Sequence, residues 1–213
     1  MTAREKEWNV TDLVLKSPEA IGRKNFSRNN TGKRKASDLY ETPHSMTRQL
    51  LDVEPFSEWI LEPAAGHGAI SSVLRARGWE VVEDDINEGP GGDFLVRIGH
   101  APCIITNPPY TLALQFILKA RQVATWKFAF LLPIDYLHGN ERYRRVFQDT
   151  EFPLARVWVF TRRPMLGEPL RDDGKYHTGM QTYAWFVWDR YHRGPATIGW
   201  IDNQEFVLKA GEQ

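Results

Sequence analysis

Apolar positions along this chain change period repeatedly, from the two-residue spacing of a strand to the three-to-four-residue spacing of a helix. Residues 44–53 carry helical spacing, and Thr42-Pro43 ahead of them is a start signal, with Thr as cap and Pro at the first helical position. Trp59-Ile60-Leu61 reads as a short strand, after which helical spacing resumes at Ile70, Val73 and Leu74. Residues 79–86 predict a second strand that ends in acids, and Cys103-Ile104-Ile105-Thr106 a brief buried one. A helix is expected over 111–120, a buried strand over 126–133 and a basic helical stretch over 141–147. Segments 155–161 and 182–189 predict two strands able to pair antiparallel, and 196–201 a last one. Strands alternating with helices in this way predict an α/β domain.

Length and composition narrow this picture. The 213 residues suffice for one α/β domain and not comfortably for two, so 38–213 is read as a single domain. Residues 1–37 are polar and poorly periodic, and 22–35 hold six basic residues and no acidic one: Arg23, Lys24, Arg28, Lys33, Arg34 and Lys35. A solvated, flexible tail explains such a run, and so does an arm that neutralises phosphates. Because the whole chain balances 27 basic against 27 acidic side chains, acid elsewhere must offset this local excess. The lone Cys103 excludes an internal disulfide framework and fits a reducing cytoplasm. No apolar run approaches the ~20 residues of a membrane helix, and the N-terminus is too polar for a signal peptide. The six histidines are scattered without ligand spacing, so no metal site is expected.

Four stretches carry candidate chemistry. Asn107-Pro108-Pro109-Tyr110 stands where a predicted strand gives way to a helix, the edge at which open α/β sheets bind ligands. Two prolines remove two backbone donors, so the carbonyls before them can face a ligand beside the Asn amide. Taken alone, the tetrapeptide is equally well explained as a rigid turn. Glu62-Pro63-Ala64-Ala65-Gly66-His67-Gly68 is more specific, since small residues before a helix N-terminus let a ligand approach the backbone. It lacks the third Gly of the dinucleotide fingerprint and the Gly-Lys-Ser/Thr of a P-loop. Glu83-Asp84-Asp85 ends the second strand, where nucleotide-binding folds hold ribose hydroxyls. Asp93-Phe94, after Gly91-Gly92, pairs a carboxylate with an aromatic: a purine contact, or simply a Gly-rich turn entering a strand.

In order, Tyr40-x-Thr42-Pro43, the Glu62-to-Gly68 turn, Asp85-Ile86, Asp93-Phe94 and Asn107-Pro-Pro-Tyr110 resemble the S-adenosylmethionine-dependent N6-adenine DNA methyltransferases. With the Tyr-x-Thr-Pro element placed first, the order is similar to their gamma group, over about residues 38–135. The resemblance implies a Rossmann-like class I methyltransferase fold, a mostly parallel seven-stranded sheet with an antiparallel strand near the C-terminal end. It implies that Tyr40, Thr42, Pro43, Glu62, Ala64, Gly66 and Gly68 surround the methionine end of S-adenosyl-L-methionine. Asp85 would hold its ribose, Ile86 would pack on its adenine, and Asp93 would accept from the adenine amine with Phe94 beside it. Asn107, Pro108, Pro109 and Tyr110 would form the catalytic element, Asn107 also bordering the cofactor.

The substrate implied is a flipped adenine in DNA, with RNA (an adenine or guanine amine) and a protein glutamine as alternatives, because an amide poses the same lone-pair problem. Segment 162–181 is too long for a plain connection and carries Arg162, Arg163 and Lys175, so it is the expected target-contacting loop along with the basic tail. No large target-recognition region is present, which resembles compact phage or prophage enzymes and suggests a host cytoplasm as the location.

Overall fold

The computed structural model describes residues 41–57, 59–88, 92–163, 166 and 181–203. Tyr40, the six basic residues of the 22–35 run and Lys175 lie outside the described residues.

The chain folds on a seven-stranded sheet of order β2-β1-β3-β4-β6-β5-β7. The strands are β1 Trp59–Glu62, β2 Glu80–Glu83, β3 Ala101–Thr106, β4 Ala124–Pro133, β5 Leu154–Phe160, β6 Tyr183–Asp189 and β7 Thr197–Ile201. β1 to β4 are mutually parallel, β6 is antiparallel to both β4 and β5, and β7 is parallel to β5. Only β6 therefore runs against the rest. The antiparallel β5–β6 pairing expected from sequence is present, with Val157 opposite Phe186.

Helices α1 His44–Val53, α2 Ala69–Ala76 and α3 Ala113–Val123 cover the sheet. α3 buries Ala113, Phe116, Ile117, Ala120 and Val123, a stripe at helical spacing, against Phe128, Phe130, Phe186 and Trp188. On the other face, Met46 and Leu50 of α1 and Ile70 and Leu74 of α2 pack with Ile105, Leu131, Trp185 and Val187. Central strands buried on both sides must be apolar throughout, which is why β4 and β6 read as continuous rather than alternating runs.

Several boundaries differ from the sequence expectation. α1 begins at His44 with Pro43 as its N-cap, and no side chain caps it; the Thr42 hydroxyl is used elsewhere. The second strand stops at Glu83, because the chain turns there to bring Asp84 and Asp85 over β1. The stretch after Gly92 is not a strand: Asp93 caps a 3-10 turn, Phe94–Val96, by accepting from the Leu95 N–H. The helix expected over 111–120 starts as a 3-10 turn, Tyr110–Leu112, and continues as α3 to Val123. The basic stretch near 141–147 is a short α4, Asn140–Arg142, widening into a π-helical turn, Tyr143–Phe147.

Candidate active site

The order of the sheet locates the crevice. From β1 the chain goes to β2 on one side and from β3 to β4 on the other, so the connections that leave β1 and β3 run in opposite directions along the sheet. In open α/β sheets that switch point is where ligands bind. Glu62 is the last residue of β1, and Asn107 directly follows β3. Two motifs whose leading residues, Glu62 and Asn107, are 45 positions apart in sequence thus lie at the ends of adjacent strands.

After β1 the chain makes a tight turn before α2. Gly66 and Gly68 have φ of 55° and 75°, left-handed values that favour glycine, and Gly68 is the N-cap of α2. Three bonds stitch the turn to the tip of β2: Asp84 N–H to Glu62 carbonyl (3.0 Å), Ala65 N–H to Asp84 carbonyl (3.2 Å) and Gly66 N–H to Asp85 Oδ2 (2.8 Å). The other Asp85 oxygen accepts from the Asn87 backbone N–H at 2.8 Å and its amide at 2.7 Å. Asp85 thus fastens the glycine turn to the second strand, and three of its roughly four acceptor sites are taken. Ile86, next to it, is 67% exposed.

Glu62 is 1% exposed, and the Ser71 hydroxyl donates to its carboxylate. Burial pushes its carboxyl up to about 8; Glu83 adds to the rise, while the Ser71 bond and Arg75 oppose it. Arg75 holds the Glu83 carboxyl below its ordinary value, its guanidinium reaching both oxygens at 3.0 and 2.9 Å. Arg97 pairs with Asp84 at 2.5 Å. Ala64 is partly buried against the α3-side core. Phe94 is 1% exposed and its ring meets Phe116 with centroids 5.1 Å apart. Its side chain is core, which leaves Asp93 and the neighbouring backbone as the part of that motif near the surface.

Past β3, Pro108 is buried and Asn107, Pro109 and Tyr110 are partly so. The first turn of the following helix closes on the Pro109 carbonyl, which accepts from Leu112 N–H at 2.8 Å. The Pro108 carbonyl lies outside that turn, as expected for consecutive prolines. The Asn107 amide nitrogen donates to Thr42 Oγ1 at 3.1 Å, joining residues 65 apart. Beside Thr42, Glu41 contacts His67 of the glycine turn at 2.8 Å. The segment preceding α1 therefore spans the crevice from the β1 turn to the end of β3.

The sequence analysis missed Tyr183. It begins β6 opposite Pro133, and its ring lies 5.9 Å from that of Tyr110. Only the strand pairing brings the two together, though an aromatic at the start of a strand on the reactive edge was a usable signal. Arg162 and Arg163 are exposed just beyond β5, on the same edge. Asn203 holds that backbone, accepting from Arg162 N–H at 2.7 Å and donating to its carbonyl at 3.0 Å. Among the described residues no cluster of His, Cys, Asp and Glu could hold a metal, and no helix is long and apolar enough to cross a membrane.

The architecture defines a class: it is the Rossmann-like class I methyltransferase fold. A Pyrococcus horikoshii protein provisionally named an RNA methyltransferase is similar with a TM-score of 0.54 and 16% identity, over 74% of this chain and 91% of that one. A Listeria monocytogenes protein provisionally named a class I S-adenosylmethionine-dependent methyltransferase gives 0.54 and 10%, over 78% and 67%. The modification subunit of a Vibrio vulnificus protein provisionally named a type I restriction enzyme gives 0.55 and 14%, over 82% of this chain and 49% of that subunit. No protein-family model and no curated protein matches the sequence.

Proposed function

We propose that this chain is a DNA adenine N6-methyltransferase that uses S-adenosyl-L-methionine. The observation that carries the reading is the placement of the Glu62-to-Gly68 turn and Asn107-Pro108-Pro109-Tyr110 on adjacent strands at the switch point. The donor set fits the cofactor. A left-handed glycine turn before α2 admits close approach to the backbone, and the Asp85 carboxylate beside it keeps an acceptor site for a ligand hydroxyl. When bound, the cofactor would supply a methyl group on an electron-poor sulfonium.

The residues have separate tasks. Glu62, Ala64, Gly66, Gly68, Thr42 and Pro43, with Tyr40, would border the methionine end. Asp85 would meet the ribose, Ile86 would offer its exposed side chain to the adenine ring, and Asp93 would accept from the adenine amine with the Phe94 backbone beside it. The amine of the target adenine is a poor nucleophile because its lone pair is delocalised into the ring. Asn107 Oδ1 and the Pro108 carbonyl would accept its two hydrogens, favour a tetrahedral nitrogen and aim its lone pair. Such positioning lowers a barrier by several kcal/mol without an ionisable base. Tyr110, with Tyr183 beside it, would stack on the base after it leaves the helix. Arg162, Arg163, Lys175 and the basic residues Arg23, Lys24, Arg28, Lys33, Arg34 and Lys35 would meet phosphates.

An RNA amine is the second reading, favoured by the RNA methyltransferase name of the Pyrococcus neighbour; the Vibrio modification subunit favours DNA. Incubation with methyl-labelled cofactor and duplex DNA, RNA or a translation release factor, followed by digestion, separates the acceptors. Label on N6 of deoxyadenosine is the expected product. Methyl-glutamine, a methylated ribonucleoside or no transfer at all rejects the DNA reading. Asn107→Ala is expected to abolish transfer while cofactor binding, followed by calorimetry, persists.

A further inference from the structure

We propose that Thr42 is a positioning residue for Asn107, holding its side-chain amide in place at the crevice. The inference rests on the role proposed for Asn107 and adds what holds that side chain.

The terminal torsion of an Asn is soft and roughly two-fold, so backbone geometry alone does not choose between its oxygen and its nitrogen. The two ends have nearly the same shape and opposite chemistry: turned one way the amide accepts, turned the other it donates. An acceptor for the target amine must be the oxygen. In this structure Nδ2 donates to Thr42 Oγ1 at 3.1 Å, so Oδ1, the other end of the planar amide, is turned away from that hydroxyl. Thr42 is well placed to hold that arrangement. Its side chain is 4% exposed, so water does not compete strongly for the hydroxyl. It stands next to Pro43, whose φ of −52° and role as N-cap tie it to α1. Its hydroxyl does not cap that helix, although Thr before a helix commonly does. The Glu41–His67 contact at 2.8 Å anchors the preceding residue to the glycine turn. Thr42 is thus held from both sides, and its hydroxyl is directed at Asn107 instead of at its own helix.

The test compares Thr42→Val, which keeps the shape and removes the hydroxyl, with Thr42→Ser, which restores it. In protein labelled with 15N, the Asn107 side-chain amide pair is identified by its loss in Asn107→Ala. That pair is expected to exchange slowly with water in the wild type and in Thr42→Ser, and to exchange faster in Thr42→Val. Methyl transfer is expected to fall roughly 10- to 100-fold in kcat for Thr42→Val, the cost of a misdirected reacting group. Thr42→Ser should recover most of it, and in Thr42→Val the fold-loss in kcat should exceed any fold-rise in the cofactor Kd. An Asn107 amide that behaves identically in Thr42→Val overturns the proposal whether or not the protein methylates DNA. So does a loss confined to cofactor affinity, which would make Thr42 a cofactor ligand only. A wild type that methylates no amine rejects the function proposed above and leaves the amide measurement as the test of Thr42.

Discussion

Glu62 is the residue whose protonation links the site to pH. Its carboxyl lies at about 8 in the folded chain against an ordinary 4.5, because burial penalises the charge. The native state therefore keeps a proton that the unfolded chain releases. That advantage is complete below about pH 4.5 and is lost as pH rises through about 8. Thermal stability of the wild type should fall over this window relative to Glu62→Gln; parallel pH profiles would reject the assignment. A cationic cofactor docking beside Glu62 favours the carboxylate, so binding at pH 7 should release a proton and tighten as pH rises. Calorimetry in buffers of different ionisation enthalpy reads that proton, and Glu62→Gln should release none.

At the scale of elements, the site depends on how closely β2's tip approaches the glycine turn. Gly92 packs onto the same corner: an ideal Cβ there would stand 1.9 Å from the Asp85 carbonyl oxygen, so backbone must move to admit one. Gly92→Ala is expected to cost about 1–3 kcal/mol, the usual range for overpacking. It should also weaken cofactor binding, because displacing Asp85 loosens its hold on Gly66. Urea unfolding and a cofactor titration measure the two effects; no change in either would show that this corner yields freely. The elements themselves were largely legible. α1 came out at 44–53 as its apolar spacing predicts, since Met46 and Leu50 lie on one helical face. The cap did not, because a Thr hydroxyl serves its own helix unless tertiary structure offers another partner, and Asn107 is that partner. Sequence left Phe94 open for a similar reason: an aromatic beside an acid looks the same whether its ring faces a ligand or, as here, packs on the Phe116 ring.

At the scale of the molecule, the end of the sheet away from Asn107 is tied by buried charge. Lys127, 2% exposed near the start of β4, bonds Glu54 Oε2 at 2.9 Å and the Pro55 carbonyl at 3.0 Å. Arg156 of β5 and the Trp158 indole also bond Glu54, and Asp189 at the end of β6 faces both cations. One carboxylate thus links α1, β4 and β5. Glu54→Gln leaves those cations short of charge, at an expected cost of about 3–5 kcal/mol. A melting curve should show it, while cofactor affinity well below the transition stays unchanged. A variant as stable as wild type would mean the network is replaceable.

The chain's own order of residues determined the strands, the principal helices and the candidate motifs, because periodicity, glycine turns and paired prolines act locally. It could not determine which motifs meet. The reversal of strand order at β1 and β3 puts Glu62 beside Asn107, the β4–β6 pairing puts Tyr183 beside Tyr110, and the chain before α1 carries Thr42 to Asn107. Each brings together parts of the chain 45 to 73 positions apart. Such contacts exist only once the sheet is assembled, since nothing in the local spacing of a chain encodes the partner across it.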